Sequence, residues 1–244
     1  MRTRIKDEIL AEVGLAPKPN GKLAIILSGM PSSPQQNGTI RFLMKHGYHA
    51  IYPRYRGTWE SFGNFLAVSP EQDVLDVLDA LSGEFVSAWD GEVFRIDYRE
   101  IILICSSFGG PAGLLAARDP RVSKVVAFSP VVDWNAESPG EPFEQFARFI
   151  DEGFGAAFRI PQGNLEKLKT GTFYTPQGHE QEIPGEKILI IHAQDDEVVL
   201  PGPVERFAEN TRARLIMLKK GGHLGLGRIR TWRLWRKIKR FLKN

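Results

Sequence analysis

The chain has 244 residues, 42% hydrophobic and 25% charged, with a formal net charge of +3, the balance of an ordinary globular protein of one α/β domain or two small ones. No apolar run approaches the roughly 18 residues of a membrane-spanning helix, the charged start MRTRIKDEIL lacks a signal peptide's apolar stretch, and the single Cys105 excludes an internal disulfide; a cytoplasmic protein without stable membrane insertion is expected. Eight Arg and Lys and no acid lie between Arg228 and Asn244, so the basic character belongs to one terminal segment and no nucleic-acid partner is expected.

In chain order, the spacing of Ile5, Ile9, Leu10 and Val13 predicts a short amphipathic helix ending at Gly14, with the loop APKPNGK completing an N-terminal helix and loop over residues 1–21. From there strands and helices alternate. LAIIL is a buried strand and NGTIRFLMKHG a helix; YHAIYPRY is a strand and SPEQDVLDVLDALSG a helix, with Ser69 as N-cap, Pro70 at its first position and Gly83 beyond its end. REIILIC, KVVAFSP, KILIIHA and ARLIMLKK read as strands, and GGPAGLLAARD, PGPVERFAEN and TWRLWRKIKRFLK as helices. Continuous apolar strands with helices between them predict a mostly parallel sheet covered on both faces. Residues 131–185 break the rhythm with a Phe-, Gly- and Pro-rich stretch holding helical patterns at EPFEQFARFIDEGFG and NLEKLK. A structureless loop of that length is unusual in a compact domain, so the segment reads as an inserted cap over the carboxyl ends of the strands, with 22–130 and 186–244 as the core.

Three segments, each just after a predicted strand, carry chemistry. In ILICSSFGG a serine is offered on a strand-to-helix turn, which demands small neighbours two residues either side. Ser107 has Cys105 and Gly109 there, whereas Ser106 would have Ile104 and Phe108, so Ser107 is the nucleophile candidate and Cys105 a small buried neighbour. HAQDDEVV offers the adjacent acids Asp195 and Asp196, either able to orient an imidazole. KKGGHLGLG offers His223 in a glycine-lined loop; an imidazole, with an unperturbed pKa of about 6.5, can take and return a proton near neutrality. The other histidines (His46, His49, His179 and His192) show no metal-ligand spacing, so neither metal nor cofactor is expected. An oxyanion needs donors: the N–H of Phe108 follows the nucleophile, and the turn LSGMPSSP can supply that of Met30. Arg54 and Arg56 in RYRGTWE stand at a strand's carboxyl end, where they could bind a substrate carboxylate or form a structural ion pair, for example with Glu60.

The chain order Ser, acid, His is that of the α/β-hydrolases. With RYRGTWESFG, CSSFGG, HAQDDEVV and GGHLG, the chain resembles a serine hydrolase of that superfamily, within it the small prolyl-oligopeptidase and dienelactone-hydrolase-like branch. The resemblance spans Leu23 to the end. It implies an α/β-hydrolase fold and, through the pattern His-Gly-x-x-Asp-x-x-Val, places the catalytic acid at Asp196, with Ala193 where the pattern has Gly. Cys105 also replaces the usual Gly of the elbow, the leading antiparallel strands are expected to be short or missing, and no propeller is present, so peptidase specificity is not implied. The expected activity is hydrolysis of a small ester, thioester or amide through an acyl-enzyme on Ser107, Asp196 and His223. The alternatives are a peptidase on short peptides and a non-catalytic binding protein on the same fold.

Overall fold

The structure, a computed structural model, describes residues 1–136 and 138–243. A hairpin of β1 (Arg2–Ile5) and β2 (Ile9–Gly14) is followed by β3 (Lys22–Leu27), α1 (Asn37–Lys45), β4 (Tyr48–Pro53) and α2 (Pro70–Ala80). A small pair, β5 (Phe85–Val86) and β6 (Val93–Phe94), precedes β7 (Glu100–Ser106), α3 (Gly109–Ala116) and β8 (Val122–Phe128). α4 (Phe143–Phe154) lies in the long segment before β9 (Ile188–Ala193), which is followed by α5 (Pro201–Thr211), β10 (Arg214–Leu218) and α6 (Trp232–Phe241).

The main sheet runs β1-β2-β4-β3-β7-β8-β9-β10. From β4 to β10 all neighbours are parallel, and β1 and β2 extend one edge antiparallel. Period-two alternation sorts each central strand between two cores. On β3, Leu23, Ile25 and Leu27 face a layer that includes α2, α3 and α5, whereas Ala24 and Ile26 face α1 and α6. Both faces are dry, which is why these strands read as unbroken apolar runs.

The expected N-terminal helix is instead the β1–β2 hairpin, so the leading antiparallel strands are present. Ile5 pairs with Ile9 across a tight turn in which Lys6 and Asp7 take positive φ values of 47° and 59°. A spacing of four fits one helical turn as well as a hairpin closed by three residues. ILAEV, almost wholly buried inside the sheet, shows no period of two to separate the readings. α2 begins as expected, with Pro70 in its first turn after Ser69, but the Ser69 hydroxyl makes no capping bond.

On α6, Leu234, Trp235, Ile238 and Phe241 are buried against the sheet. Trp232 does not join that stripe; it is 66% exposed, with the Arg236 guanidinium 4.8 Å from its ring centre. None of the described helices is long and apolar enough to cross a membrane.

The segment between β8 and β9 packs back on the domain at fixed points. Trp59 and Phe65 donate backbone N–H bonds to the Ala157 and Arg159 carbonyls, and Arg159 returns one to Gly57. Phe158 and Tyr174 are buried in the larger core, and the Tyr174 hydroxyl donates to the Phe108 carbonyl at 2.5 Å.

Cys105 is fully buried, and burial pushes its thiol pKa far up. It faces α3 so closely that a Cβ on Gly113 would lie 2.7 Å from its Sγ and 3.2 Å from its Cβ. Gly113→Ala should therefore lower stability by about 1–3 kcal/mol through overpacking. Adding Cys105→Ala should recover part of that loss in denaturant unfolding, whereas two strictly additive losses would show that the helix and strand do not meet there.

Candidate active site

Ser107 follows the last residue of β7 and adopts φ 51°, a conformation that strains a residue bearing a Cβ. It is locked from both sides: its N–H donates to the Phe128 carbonyl, and its own carbonyl accepts the N–H groups of Gly110 and Val131. The sharp turn brings the first residue of α3 against the end of β3, where a Cβ on Gly109 would lie 2.4 Å from the Leu27 carbonyl oxygen. A Cβ on Gly29 would lie 3.0 Å from the Ser107 Cβ, so the turn after β3 borders the serine. Ser106, by contrast, ends the strand and is buried.

Asp196 and His223 come from the turns after β9 and β10. The His223 Nδ1 is 3.1 Å and 3.0 Å from the two Asp196 carboxylate oxygens. Asp196 is only 2% exposed; its Oδ1 also accepts the N–H groups of Val198 and Val199, each at 3.0 Å. Burial pushes the Asp196 pKa up, but the bonds from His223, the Ser129 hydroxyl and Val199 outweigh it and hold the carboxyl below its usual value. With the acid ionised and bonded to Nδ1, Nδ1 carries the proton and Nε2 is free to act as a base. The neighbouring Asp195 has a different task. Its Oδ1 accepts the N–H groups of Gly221 and Gly222 at 2.8 and 2.9 Å, so it shapes the loop that carries His223.

Two groups escaped the sequence reading. Ser129, just past β8 at φ 40°, accepts the Leu224 N–H at 3.0 Å and so fixes the histidine loop to the end of β8, while its hydroxyl helps to hold the Asp196 pKa down. His192 is fully buried. Its Nε2 donates to the Val199 carbonyl at 2.9 Å and lies 3.7 Å from Asp196 Oδ2; burial, only partly offset by Asp196, lowers its pKa and keeps the ring neutral. The position of Ser129 at the end of a central strand was the available signal for the first; nothing in the spacing of His192 announced the second.

Two cavities meet at Ser107. One, of about 520 Å³, lies beneath the 131–185 segment and is walled by Val131, Val132, Trp134, Phe143 and Phe146. The other, of about 380 Å³, is more polar and runs past Ser28, Ser32, Gln36 and His223. Ser107, Met30, Glu141 and Val198 border both. Among the described residues the backbone N–H groups of Phe108 and Met30 have no protein acceptor, which leaves them available to an oxygen at this junction.

Of the two readings offered for Arg54 and Arg56, the structure has the ion pairs, that with Glu60 included, and neither arginine is brought to the pocket as a substrate-binding residue. The Arg54 guanidinium is wholly buried and uses every nitrogen: Nη2 on Glu12 at 2.7 Å, Nη1 on Glu60 at 2.6 Å and Nε on the Pro34 carbonyl at 2.9 Å. Arg56 pairs with Glu8, Asp73 and, at 2.6 Å, Asp76. Every guanidinium nitrogen of both is thus engaged within the protein, and neither residue lines either cavity.

No protein-family model and no curated protein matches the sequence. Among solved structures, an esterase of Pyrococcus furiosus aligns with TM-score 0.69 at 17% identity, covering 100% of this chain and 89% of its own. A bromoperoxidase of Bacillus anthracis aligns with TM-score 0.69 at 18% identity, covering 100% and 99%. A meta-cleavage product hydrolase of Pseudomonas fluorescens aligns with TM-score 0.68 at 18% identity, covering 100% and 97%. With the mostly parallel eight-stranded sheet, these likenesses show that the chain has the α/β-hydrolase fold.

Arg54→Met should lower unfolding stability by about 3 kcal/mol, the low end for breaking a buried ion pair, because Arg2 still holds Glu12. The check is a pair of denaturation curves with active-serine labelling of the folded fraction. Unchanged stability with lost labelling would return Arg54 to the site.

Proposed function

We propose that this chain is a serine hydrolase that cleaves a small ester, thioester or amide through an acyl-enzyme. The observation that carries the reading is the buried Asp196 carboxylate held to His223 Nδ1, beside a cavity junction occupied by a serine at strained backbone angles. In this reading Ser107 Oγ attacks the substrate carbonyl while His223 Nε2 takes its proton. Asp196 stays ionised, fixes the tautomer and stabilises the imidazolium. The negative oxygen of the tetrahedral intermediate is held by the Phe108 and Met30 N–H groups. As it collapses, the imidazolium returns the proton to the departing alcohol, thiol or amine. Water then repeats the sequence against the acyl-Ser107 ester and frees the acid and the serine. The 131–185 segment acts as the cap that shields the apolar cavity.

The test is labelling with a fluorophosphonate, which needs an activated serine and little substrate specificity. Wild type should be modified at Ser107, Ser106→Ala should retain labelling, and Ser107→Ala and His223→Ala should lose it. Asp196→Asn should slow hydrolysis of a p-nitrophenyl ester by about 10⁴-fold through the wrong tautomer, while Asp195→Asn should cost far less. A folded wild type that resists labelling would instead favour a binding protein on this scaffold.

A further inference from the structure

Glu141 borders both cavities, as Ser107 does, and shares the wall of the polar one with His223. Its place is set by a strap on the acid loop. Ser138 Oγ donates to the Glu197 and Val198 carbonyls at 3.1 and 2.7 Å, and the Gly140 N–H donates to the Glu197 carbonyl at 3.0 Å. Gly140 lies so close that a Cβ there would be 2.7 Å from the Glu197 carbonyl oxygen. The residue after Gly140 is therefore held over the turn that carries Asp196. Glu141 is half-buried, and among the described residues no Lys, Arg or His pairs with it in an ion pair. Burial pushes its pKa up, and the His223 imidazole pulls it partly back. The one cation on the walls of the larger cavity, Lys169, is engaged elsewhere: its ammonium donates to the Trp134 carbonyl at 3.1 Å and sits 5.3 Å from the centre of the Phe143 ring.

A half-buried carboxylate without a cationic partner on a cavity wall favours a cation brought into the same partly dry space. A substrate ammonium supplies that cation. We propose that Glu141 selects substrates carrying an ammonium group within a few bonds of the scissile carbonyl, the carboxylate pairing with that ammonium as Ser107 attacks. This rests on the serine-hydrolase reading and narrows its substrate class to amine-bearing esters, thioesters or amides. The amine belongs either to the acyl part or to the leaving group, since Glu141 reaches both cavities.

The test measures the rate of Ser107 phosphonylation with two matched pairs of probes, read by intact mass. In each, the serine oxygen bonds phosphorus as the leaving group departs. The acyl-side pair is a 3-aminopropyl against a butyl phosphonofluoridate. The leaving-group pair is a phosphonothioate expelling thiocholine against one expelling 3,3-dimethylbutanethiol. The cationic member of one pair should react about tenfold faster or more, the scale of a charge-assisted contact, and Glu141→Gln should remove most of that ratio. The pair that responds identifies the side that carries the amine. Equal rates within both wild-type pairs, or a preference that survives Glu141→Gln, would overturn the proposal while leaving the hydrolase intact. Should Glu141→Gln not fold, Glu141→Ala serves, and equal wild-type rates remain decisive alone. No reaction of any probe with folded wild type would overturn the serine-hydrolase reading and this inference with it.

Discussion

The site depends on how closely the start of α3 approaches the end of β3. A side chain at Gly109 would strike the Leu27 and Ser28 carbonyl oxygens at 2.4 and 2.6 Å, and one at Gly110 would meet Pro130 at 2.4 Å. Only backbone fits between the two neighbouring strand ends. That proximity forces the tight turn at Ser107 and makes its φ of 51° tolerable, because hydrogen bonds to Phe128, Gly110 and Val131 hold it there. It also sets the Gly29–Met30 turn against the serine. A looser packing would relax the turn and separate the serine from the Phe108 and Met30 N–H groups at once, so the geometry of Ser107 and of those two backbone donors is a single constraint. Cys105 fits the same logic: a buried small side chain facing Gly113 fills the space a larger residue would need in order to push α3 away.

A second constraint is charge burial. Asp196 sits in an almost dry position, which by itself would favour the neutral acid. Two backbone N–H groups, a hydroxyl and an imidazole keep it ionised instead. Those donors come from three different turns, after β8, β9 and β10, so the carboxylate staples the sheet's carboxyl edge together while orienting His223. The adjacent Asp195 does similar work in the open, on the Gly221 and Gly222 N–H groups. The two acids of the pair thus divide the labour, one inside and one at the surface.

The architecture was legible because a doubly covered parallel sheet writes itself as apolar runs alternating with amphipathic helices, and every such strand and helix from Leu23 onward lies where the pattern put it. Ser107 could be separated from Ser106 on side-chain volume alone, since the turn admits only small neighbours. What could not be read depended on contacts between residues distant in sequence. The N-terminal hairpin has the same residue spacing as a helix, and only pairing with β4 decides between them. The destiny of Arg54 turned on Glu12, 42 positions away, and that of Arg56 on Glu8 and the α2 acids; a strand-end arginine looks the same whether it awaits a substrate or is already spent. Ser129, His192 and Glu141 are likewise ordinary in sequence and acquire meaning only from what the fold sets beside them.

The two arginine networks explain how the 131–185 segment is held above the site. Arg54 ties β2 to the end of β4 through Glu12, and Arg56 ties the same loop to α2 through Asp73 and Asp76. The loop thus anchored, residues 54–67, is the platform on which the segment rests: Arg159 donates to the Trp59 carbonyl at 3.0 Å, Asn164 to the Phe65 carbonyl at 2.9 Å, and Thr58 bridges Phe158. On the far side the segment reaches the serine turn itself through Tyr174 and Phe108. The apolar cavity therefore has a roof fastened at both ends, to a charge-locked loop and to the start of α3 beside Ser107. Lifting the whole segment would break both sets of anchors together.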